Sequence, residues 1–163
     1  MIRLFLADVD GCLTDGVYHT DDNGKISKSF YSRDFHGMQQ LHKSGVAVGI
    51  VSMSSDKVIV RQCYRCAAYI ELEVGAKDKV KAVQERFLTD YNKDEVAYIG
   101  DEVFDIPLLE MVGLAACPSD AHSEVISKLT HSDNGVVLNN PGGRGCVREF
   151  TDMVLEINRM EDR

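Results

Sequence analysis

Two carboxylates spaced two residues apart, Asp8 and Asp10, follow a short apolar run near the start of the chain and precede Gly11. An apolar run bounded by a turn signal is typical of a buried parallel strand, and open α/β sheets bind ligands at the carboxyl ends of such strands. Two acids in one cleft repel each other unless a cation or a proton separates them. Because Mg²⁺ is held by one or two carboxylates together with phosphate oxygens, the spacing indicates phosphate chemistry. The alternative is an ordinary strand-to-turn junction, since Asp and Gly are common turn residues.

The elements that must position these acids alternate between strand and helix patterns, which is typical of a parallel sheet with crossover helices. Apolar runs predict strands at 2–9, 46–51, 68–70, 96–99 and 114–116. Helical patterns are predicted at 35–43, 57–65, 77–91, 106–111, 121–128 and 147–158. We therefore predict a Rossmann-like, doubly wound α/β fold in a single domain over residues 1–163.

One further element interrupts this alternation. Residues 17–30 alternate around Asp22-Asn23-Gly24, which is a strong hairpin signal. The sequence therefore predicts a β-hairpin inserted after the first strand. A second unusual segment lies near the end of the chain, where a Gly-rich tail and a helix cover about 142–158.

The run at 8–14, Asp-Val-Asp-Gly-Cys-Leu-Thr, resembles the first motif of the haloacid dehalogenase superfamily of phosphotransferases. The later motifs of that superfamily recur in the same order at Ser52, Lys79, Asp101 and Asp105. Each lies at the end of a predicted strand or the start of a predicted helix. The resemblance extends from Met1 to about Ile157.

This resemblance implies a catalytic role for four side chains. Asp8 is the expected nucleophile and forms an aspartyl-phosphate, since a carboxylate can carry a phosphoryl group covalently. Asp10 is expected to protonate the leaving alcohol and then to deprotonate the attacking water. Ser52 is expected to donate a hydrogen bond to the phosphoryl group, and Lys79 to neutralise its charge.

The resemblance also implies a magnesium site. Mg²⁺ is expected to be bound by Asp8, the backbone carbonyl of Asp10 and Asp101, with waters and a phosphate oxygen completing six ligands. Asp105 follows Asp101 by four residues and is expected to brace Lys79 or a metal-bound water.

The short insertion at 17–30 leaves no room for the cap domain that covers the active site in many members of the superfamily. Capless phosphatases similar to this chain form tetramers in which hairpins build a barrel and neighbouring subunits cover each site. The resemblance therefore implies a homotetramer, because a lone hairpin is marginal in water. The alternative is a solvated hairpin. A phosphomutase, which would need a cap to retain its intermediate, is disfavoured.

Two further stretches point to a subfamily. Residues 30–37 resemble the Phe-x-x-x-Asp-x-x-Gly element of the 3-deoxy-manno-octulosonate 8-phosphate phosphatases, and residues 142–150 resemble their Gly-rich tail. The implied activity is Mg²⁺-dependent hydrolysis of an octulosonate 8-phosphate. The chain is also similar to the phosphatase-like C-terminal domain of sialic-acid cytidylyltransferases. A phosphatase of a nine-carbon ulosonate 9-phosphate and a low-activity tetramerisation module therefore remain alternatives.

One residue departs from the pattern of the sugar-acid phosphatases. Their second motif reads Thr-Gly, whereas this chain has Ser52 followed by Met53. The serine supplies the hydroxyl, so the motif survives. The bulky methionine is expected to reshape the pocket or lower activity.

The carboxylate of a sugar acid needs cationic or N–H partners of its own. Arg61, Arg144 and Arg148 are the candidates, and Gly143 would let the backbone approach the ligand closely. For each arginine the alternative is a surface ion pair. For the glycine, the alternative is a flexible loop.

Composition excludes some partner classes. A net charge of −8 without a basic cluster argues against nucleic acid, and no apolar run approaches a membrane span. No signal peptide is recognisable, so we expect a cytoplasmic protein that acts on a small molecule. Cys63 and Cys66 have the spacing of a redox pair or of half a zinc site. Reduced thiols are the expected reading, because no second half-site follows.

Overall fold

The computed structural model describes residues 1–66 and 70–161, without the side chain of Cys66. Its strands are β1 (Leu4–Ala7), β2 (Tyr18–Thr20), β3 (Ile26–Lys28), β4 (Ala47–Ser52), β5 (Glu71–Val74), β6 (Val96–Ile99), β7 (Leu114–Cys117) and β8 (Gly135–Val137). Its α-helices are α1 (Ser32–Lys43), α2 (Lys57–Cys66), α3 (Lys79–Arg86), α4 (Ile106–Met111), α5 (Ser123–Thr130) and α6 (Cys146–Glu161). None of the helices in these ranges is long and apolar enough to cross a bilayer.

Six strands form one parallel sheet in the order β5-β4-β1-β6-β7-β8, which agrees with the predicted α/β fold. Helices cover both faces, so the side chains of β1 are buried on either side. Leu4 and Leu6 pack into the apolar layer shared with α3, α4 and α5. Phe5 and Ala7 pack into the opposite layer, with α1, α2 and α6. This two-sided burial explains why the strand is a continuous apolar run without alternation.

Helices α1 and α6 pack closely because one residue between them lacks a side chain. A Cβ on Gly37 would lie 2.1 Å from the Thr151 hydroxyl oxygen. Three residues earlier, the buried Asp34 carboxylate accepts a hydrogen bond of 2.8 Å from the Arg148 N–H. Asp34 thereby satisfies a backbone donor in the first turn of α6, which has no partner within the helix. The Asp-x-x-Gly spacing thus serves to join these helices.

The predicted hairpin is present as a separate two-stranded sheet. Strands β2 and β3 are antiparallel, with Tyr18 opposite Lys28 and Thr20 opposite Ile26. All three residues of β2 are exposed, whereas Ile26 and Lys28 are partly covered. The hairpin therefore has one face turned toward the rest of the chain.

Most predicted elements match, and the differences have local causes. The helix predicted at 77–91 is shorter: Asp78 caps it by accepting from the Lys81 N–H at 3.0 Å, and it ends at Arg86. Strand β8 was not predicted because its three residues are too short to give a periodic signal. The strand predicted at 68–70 falls largely on residues outside the described ranges, and the strand that is described begins at Glu71.

Candidate active site

Three neighbouring strands bring the predicted site residues to one edge of the sheet. Asp8 directly follows β1, Ser52 is the last residue of β4, and Asp101 follows β6 after one glycine. Ala7 is in register with Ile50 of β4 and Ile99 of β6. Strands β1 and β6 therefore end level, and β4 continues two residues past Ile50 to Ser52 at the same edge. The carboxyl edge of the sheet therefore collects these side chains, where open α/β sheets bind ligands.

Lys79, the first residue of α3, is buried between two carboxylates. Its Nζ lies 2.9 Å from Asp8 Oδ1 and 2.6 Å from Asp105 Oδ1. Burial alone would lower the pKa of Lys79, but the two carboxylates outweigh that effect and raise it. Lys79 therefore remains an ammonium at the point where a phosphoryl group would approach Asp8.

Asp105 is held from several sides. The Tyr98 hydroxyl donates to Asp105 Oδ1 at 2.7 Å, and the backbone N–H groups of Asp101 and Glu102 donate to Oδ2 at 3.1 Å each. A Cβ on Gly100 would lie 2.7 Å from the Asp105 side chain, so only glycine leaves it room. Asp105 thus fixes both Lys79 and the loop that carries Asp101. Sequence reasoning missed Tyr98, because an apolar strand gives no sign that its tyrosine bears a functional hydroxyl.

Asp8, Asp101 and Asp105 form a cluster whose carboxylate oxygens lie within 4.8 Å of one another. Burial raises the pKa of Asp8 to about 6 despite the opposing charge of Lys79. Burial, together with the charges of Asp8 and Asp105, raises the pKa of Asp101 to about 8. One ammonium does not balance three acids, so the cluster favours a further cation. Oxygen donors of this kind fit Mg²⁺.

The turn after β1 is shaped to leave this cluster open. Gly11 has φ +89°, and a Cβ there would lie 1.9 Å from Asp101 Oδ2. Any other residue at this position would strain the left-handed backbone and would displace the Asp101 carboxylate. Gly11 therefore leaves room for the Asp101 carboxylate directly beside the turn that carries Asp10.

Asp10 points away from that cluster and toward the hairpin. Lys28 Nζ donates to Asp10 Oδ1 at 2.9 Å and to Oδ2 at 2.7 Å, and the Thr14 hydroxyl donates to Oδ1 at 3.1 Å. Lys28 also pairs with Asp56 at 3.0 Å. Sequence reasoning missed Lys28. The sequence does contain one indication of its position: Lys28 is two residues from Ile26 and therefore lies on the same, covered face of the predicted hairpin.

The Ser52 hydroxyl is nearly buried and accepts a hydrogen bond from the Ser54 N–H at 3.1 Å. The next side chain, Met53, is 42% exposed and lines a cavity of about 540 Å³ beside Lys79. Phe104, 49% exposed, lines the same cavity and carries its ring 5.0 Å from Lys79 Nζ. Met53 thus lines the space next to the site, and its expected effect on the pocket and on activity stays a prediction.

The Gly-rich tail packs on the turn that carries the first motif. The Gly143 N–H donates to the Cys12 carbonyl at 2.8 Å, and a Cβ on Gly143 would lie 2.4 Å from the Asp15 nitrogen. A Cβ on Gly142 would lie 2.0 Å from the Gly11 carbonyl oxygen. Gly143 was predicted to approach the substrate, but the close contacts that it makes are with the turn after β1. The tail therefore supports that turn.

The three predicted substrate arginines are not equivalent in position. Arg144 lies 3.7 Å from Asp15, and Arg148 Nε donates to Asp152 at 2.8 Å. Both line a cavity of about 330 Å³ together with Tyr31, Arg33, Asn140, Gly145, Glu149 and Asp152. Arg61 is exposed on α2, and within the described ranges it has no ion pair. Its role stays a prediction.

The two cysteines with redox-pair spacing, Cys63 and Cys66, lie on α2. Cys63 is buried on α2, whereas the side chain of Cys66 lies outside the described residues. Reduced thiols at this pair therefore stay a prediction. The thiols nearest the site, Cys12, Cys117 and Cys146, are buried, and none of the three is in a disulfide.

Comparison with known proteins gives a consistent result. A model of the haloacid dehalogenase-like hydrolases matches residues 63–140. A relative from Yersinia pestis, named 3-deoxy-D-manno-octulosonate 8-phosphate phosphatase, is 34% identical over 155 residues, which cover 94% of this chain and 80% of the relative.

Two solved structures superpose on nearly the whole chain. The 3-deoxy-D-manno-octulosonate 8-phosphate phosphatase of Moraxella catarrhalis, solved in complex with magnesium ion, phosphate ion and KDO, has a TM-score of 0.85 at 28% identity, over 95% of this chain and 86% of that one. The cobalt-bound deoxy-D-mannose-octulosonate 8-phosphate phosphatase of Haemophilus influenzae has a TM-score of 0.84 at 31% identity, over 95% and 88%. The predicted fold class and the resemblance of the sequence motifs are both confirmed.

Proposed function

Because the chain belongs to the haloacid dehalogenase-like hydrolases, in the family of the 3-deoxy-D-manno-octulosonate 8-phosphate phosphatases, we propose that it hydrolyses the phosphate monoester of an octulosonate 8-phosphate with Mg²⁺. The observation that carries the proposal is the buried Lys79 between Asp8 and Asp105, with the Asp101 carboxylate in the same cluster. An isolated buried lysine would be costly. Here the two carboxylates offset that cost, and they hold Lys79 where it can neutralise the charge of a phosphoryl group.

In the first half of the reaction, an Asp8 carboxylate oxygen attacks phosphorus. The bond from phosphorus to the sugar oxygen breaks as the aspartyl-phosphate forms, and the Asp10 carboxyl gives its proton to the departing oxygen. In the second half, Asp10 takes a proton from a water that attacks phosphorus, which releases phosphate and restores Asp8. Lys79 and the Ser52 hydroxyl contact the phosphoryl oxygens throughout.

Asp8, the Asp10 carbonyl and Asp101 would hold Mg²⁺, with Asp105 fixing the loop that presents Asp101. When bound there, Mg²⁺ draws charge from the phosphoryl oxygens and offsets the repulsion within the acidic cluster. Lys79 cannot do this alone, since its single positive charge is already shared between Asp8 and Asp105.

We infer that the arginine-lined cavity beside the tail, with Arg144 and Arg148, receives the carboxylate end of the substrate. The cavity is framed by Tyr31 and Arg33, which follow the hairpin. Binding would exchange the Asp15 and Asp152 partners of these arginines for the substrate carboxylate. The substrate would then be held at both ends by positive charge, in a protein of net charge −8.

We also propose a homotetramer in the cytoplasm. Val17 and Tyr18 are 54% and 61% exposed on a two-stranded hairpin, and such a hairpin is marginal unless its apolar side chains are covered. Light scattering after size-exclusion chromatography tests the assembly. A tetramer is expected, and a monomer would contradict it.

The function is tested by phosphate release from three esters in the presence and absence of Mg²⁺. We expect 3-deoxy-manno-octulosonate 8-phosphate to be the best substrate, ahead of a nine-carbon ulosonate 9-phosphate and p-nitrophenyl phosphate. Preference for the nine-carbon ester would reassign the substrate. Tetramers without turnover on any of the three would instead identify an assembly module.

A further inference from the structure

Lys28 is the most completely covered charged side chain of the hairpin. Only 3% of its side chain is exposed, whereas its cross-strand partner Tyr18 is 61% exposed. A lysine that loses its water must recover that free energy from partners. It has two, Asp10 in the turn after β1 and Asp56 before α2.

Lys28 contacts both oxygens of the Asp10 carboxylate. Lys28 Nζ lies within hydrogen-bond distance of both carboxylate oxygens, at 2.9 and 2.7 Å, while the Thr14 hydroxyl lies 3.1 Å from one of them. Three contacts on two oxygens fix the rotation of the carboxyl group as well as its position. An acid held by one hydrogen bond would keep that rotation free.

Asp56 anchors the lysine from the other side. It lies 3.0 Å from Nζ, and its N–H donates to the Ser54 hydroxyl at 3.3 Å. Hydrogen bonds from Lys28 and from the Ser54 side chain lower the pKa of Asp56, so it remains a carboxylate partner. The lysine therefore joins three segments: the hairpin, the turn after β1 and the segment after β4.

We propose that Lys28 is a positioning residue that orients the Asp10 carboxyl for proton transfer to the leaving oxygen, with Asp56 as its anchor. The inference rests on the proposed function. Lys28 itself transfers no proton: the proton passes from Asp10 to the departing sugar oxygen as the phosphorus–oxygen bond breaks. Without Lys28, Asp10 remains present, but its carboxyl group is free to rotate and is no longer held for this transfer.

Two substrates with different leaving groups distinguish a positioning role of Lys28 from a purely structural one. A sugar alkoxide is a poor leaving group and needs the proton, whereas p-nitrophenolate leaves without it. We expect Lys28→Met to lower kcat/KM for the sugar-acid phosphate by about 10- to 100-fold. This is less than the roughly 10²- to 10⁴-fold that a complete acid–base contribution supplies, because Asp10 itself remains. We expect p-nitrophenyl phosphate hydrolysis to change by less than about threefold. Lys28→Arg should recover part of the loss.

Lys25→Met is the matched control, since Lys25 is exposed at the turn of the same hairpin, and it should leave both substrates unaffected. Asp56→Asn should show a smaller loss with the same dependence on the leaving group. In the Lys28→Met background, Asp56→Asn should add nothing, because Asp56 acts only through the lysine.

Equal losses on both esters, or no loss on either, would overturn the proposal. If circular dichroism shows that Lys28→Met does not fold, the Asp56→Asn variant tests the proposal instead. A loss of activity in that variant that is the same for both esters would contradict the positioning role. Failure of the proposed function is a different result, in which the parent protein with Mg²⁺ hydrolyses neither ester.

Discussion

The Asp34 carboxylate accepts the backbone N–H of Arg148 over 2.8 Å, and so joins the first long helix to the start of the last one. Its other oxygen is buried without a hydrogen-bond partner among the described residues. Burial raises the pKa of Asp34 to about 6, although the N–H groups of Arg148 and Gly145 oppose the shift. The contact thus holds α6, and with it the Gly-rich tail, at the cost of a buried charge above that pH.

Asp34→Asn should change the pH dependence of stability. Because the pKa of Asp34 is higher in the folded than in the unfolded protein, its contribution is present below about pH 4 and is lost as pH rises through 6. The variant should therefore gain stability relative to the parent between pH 4.5 and 7.5, by up to roughly 3 kcal/mol. Urea unfolding at both pH values measures this difference, with the exposed Asp133→Asn as control. A difference that does not vary with pH contradicts the argument.

Asp8→Asn should abolish phosphate release while leaving the fold intact. Asparagine is nearly isosteric but is not a carboxylate nucleophile, and Lys79 keeps its 2.6 Å contact with Asp105. Circular dichroism should be unchanged, and the metal-free protein should be no less stable, since a buried charge is removed. Asp22→Asn, at the exposed hairpin tip, is the control. Turnover within tenfold of the parent would show that Asp8 is not the nucleophile.

Chelation should abolish activity and destabilise the protein most at alkaline pH. The pKa of Asp101 is raised to about 8 by burial and by its acidic neighbours, so without metal its contribution to stability is lost as pH rises through 8. Mg²⁺ should therefore raise Tm more at pH 8.5 than at pH 6.5. Asp101→Asn should raise the Tm of the metal-free protein at pH 8.5 and largely remove the Mg²⁺ response. An EDTA-treated protein with full turnover would contradict the metal site.

Arg148→Ala should separate substrate binding from chemistry. Loss of a charge-assisted hydrogen bond costs about 1.5–3 kcal/mol, so KM for the sugar-acid phosphate should rise about ten- to a hundredfold. Hydrolysis of p-nitrophenyl phosphate, which has no carboxylate, should change little. Arg159→Ala, exposed on the same helix, is the control. Equal losses on both esters would place Arg148 outside substrate binding.

Sequence alone predicted the elements that depend on local pattern. The strand at 96–99 and the helix at 106–111 agree at both ends with β6 and α4, because an apolar run bounded by Gly100 and a proline in the first helical turn mark their limits. Asp8 and Asp101 were predictable for a related reason, since they end apolar strands that the fold makes neighbours.

What could not be predicted depends on which segment faces which. Lys28 is one of several lysines in a polar hairpin. Its phase with Ile26 indicates a covered face, but nothing local reveals that it meets Asp10. Asp34 belonged to a recognisable motif, yet its cap on α6 needs a helix more than a hundred residues later. The environment of Tyr98 likewise depends on Lys79 and Asp105, which other elements supply.

The contact of the tail with the turn after β1 has a consequence for how the protein is made. Cys146 Sγ donates to the Cys12 carbonyl across 134 residues of sequence, and Gly142 and Gly143 close on the same turn. On the ribosome, the nucleophile and its acidic neighbours emerge long before these glycines do. Contacts so distant in sequence form late because of their loop-closure entropy. A nascent chain should therefore carry every acid of the site while the turn after β1 still lacks support, and it should become active only once the Gly-rich tail has been synthesised.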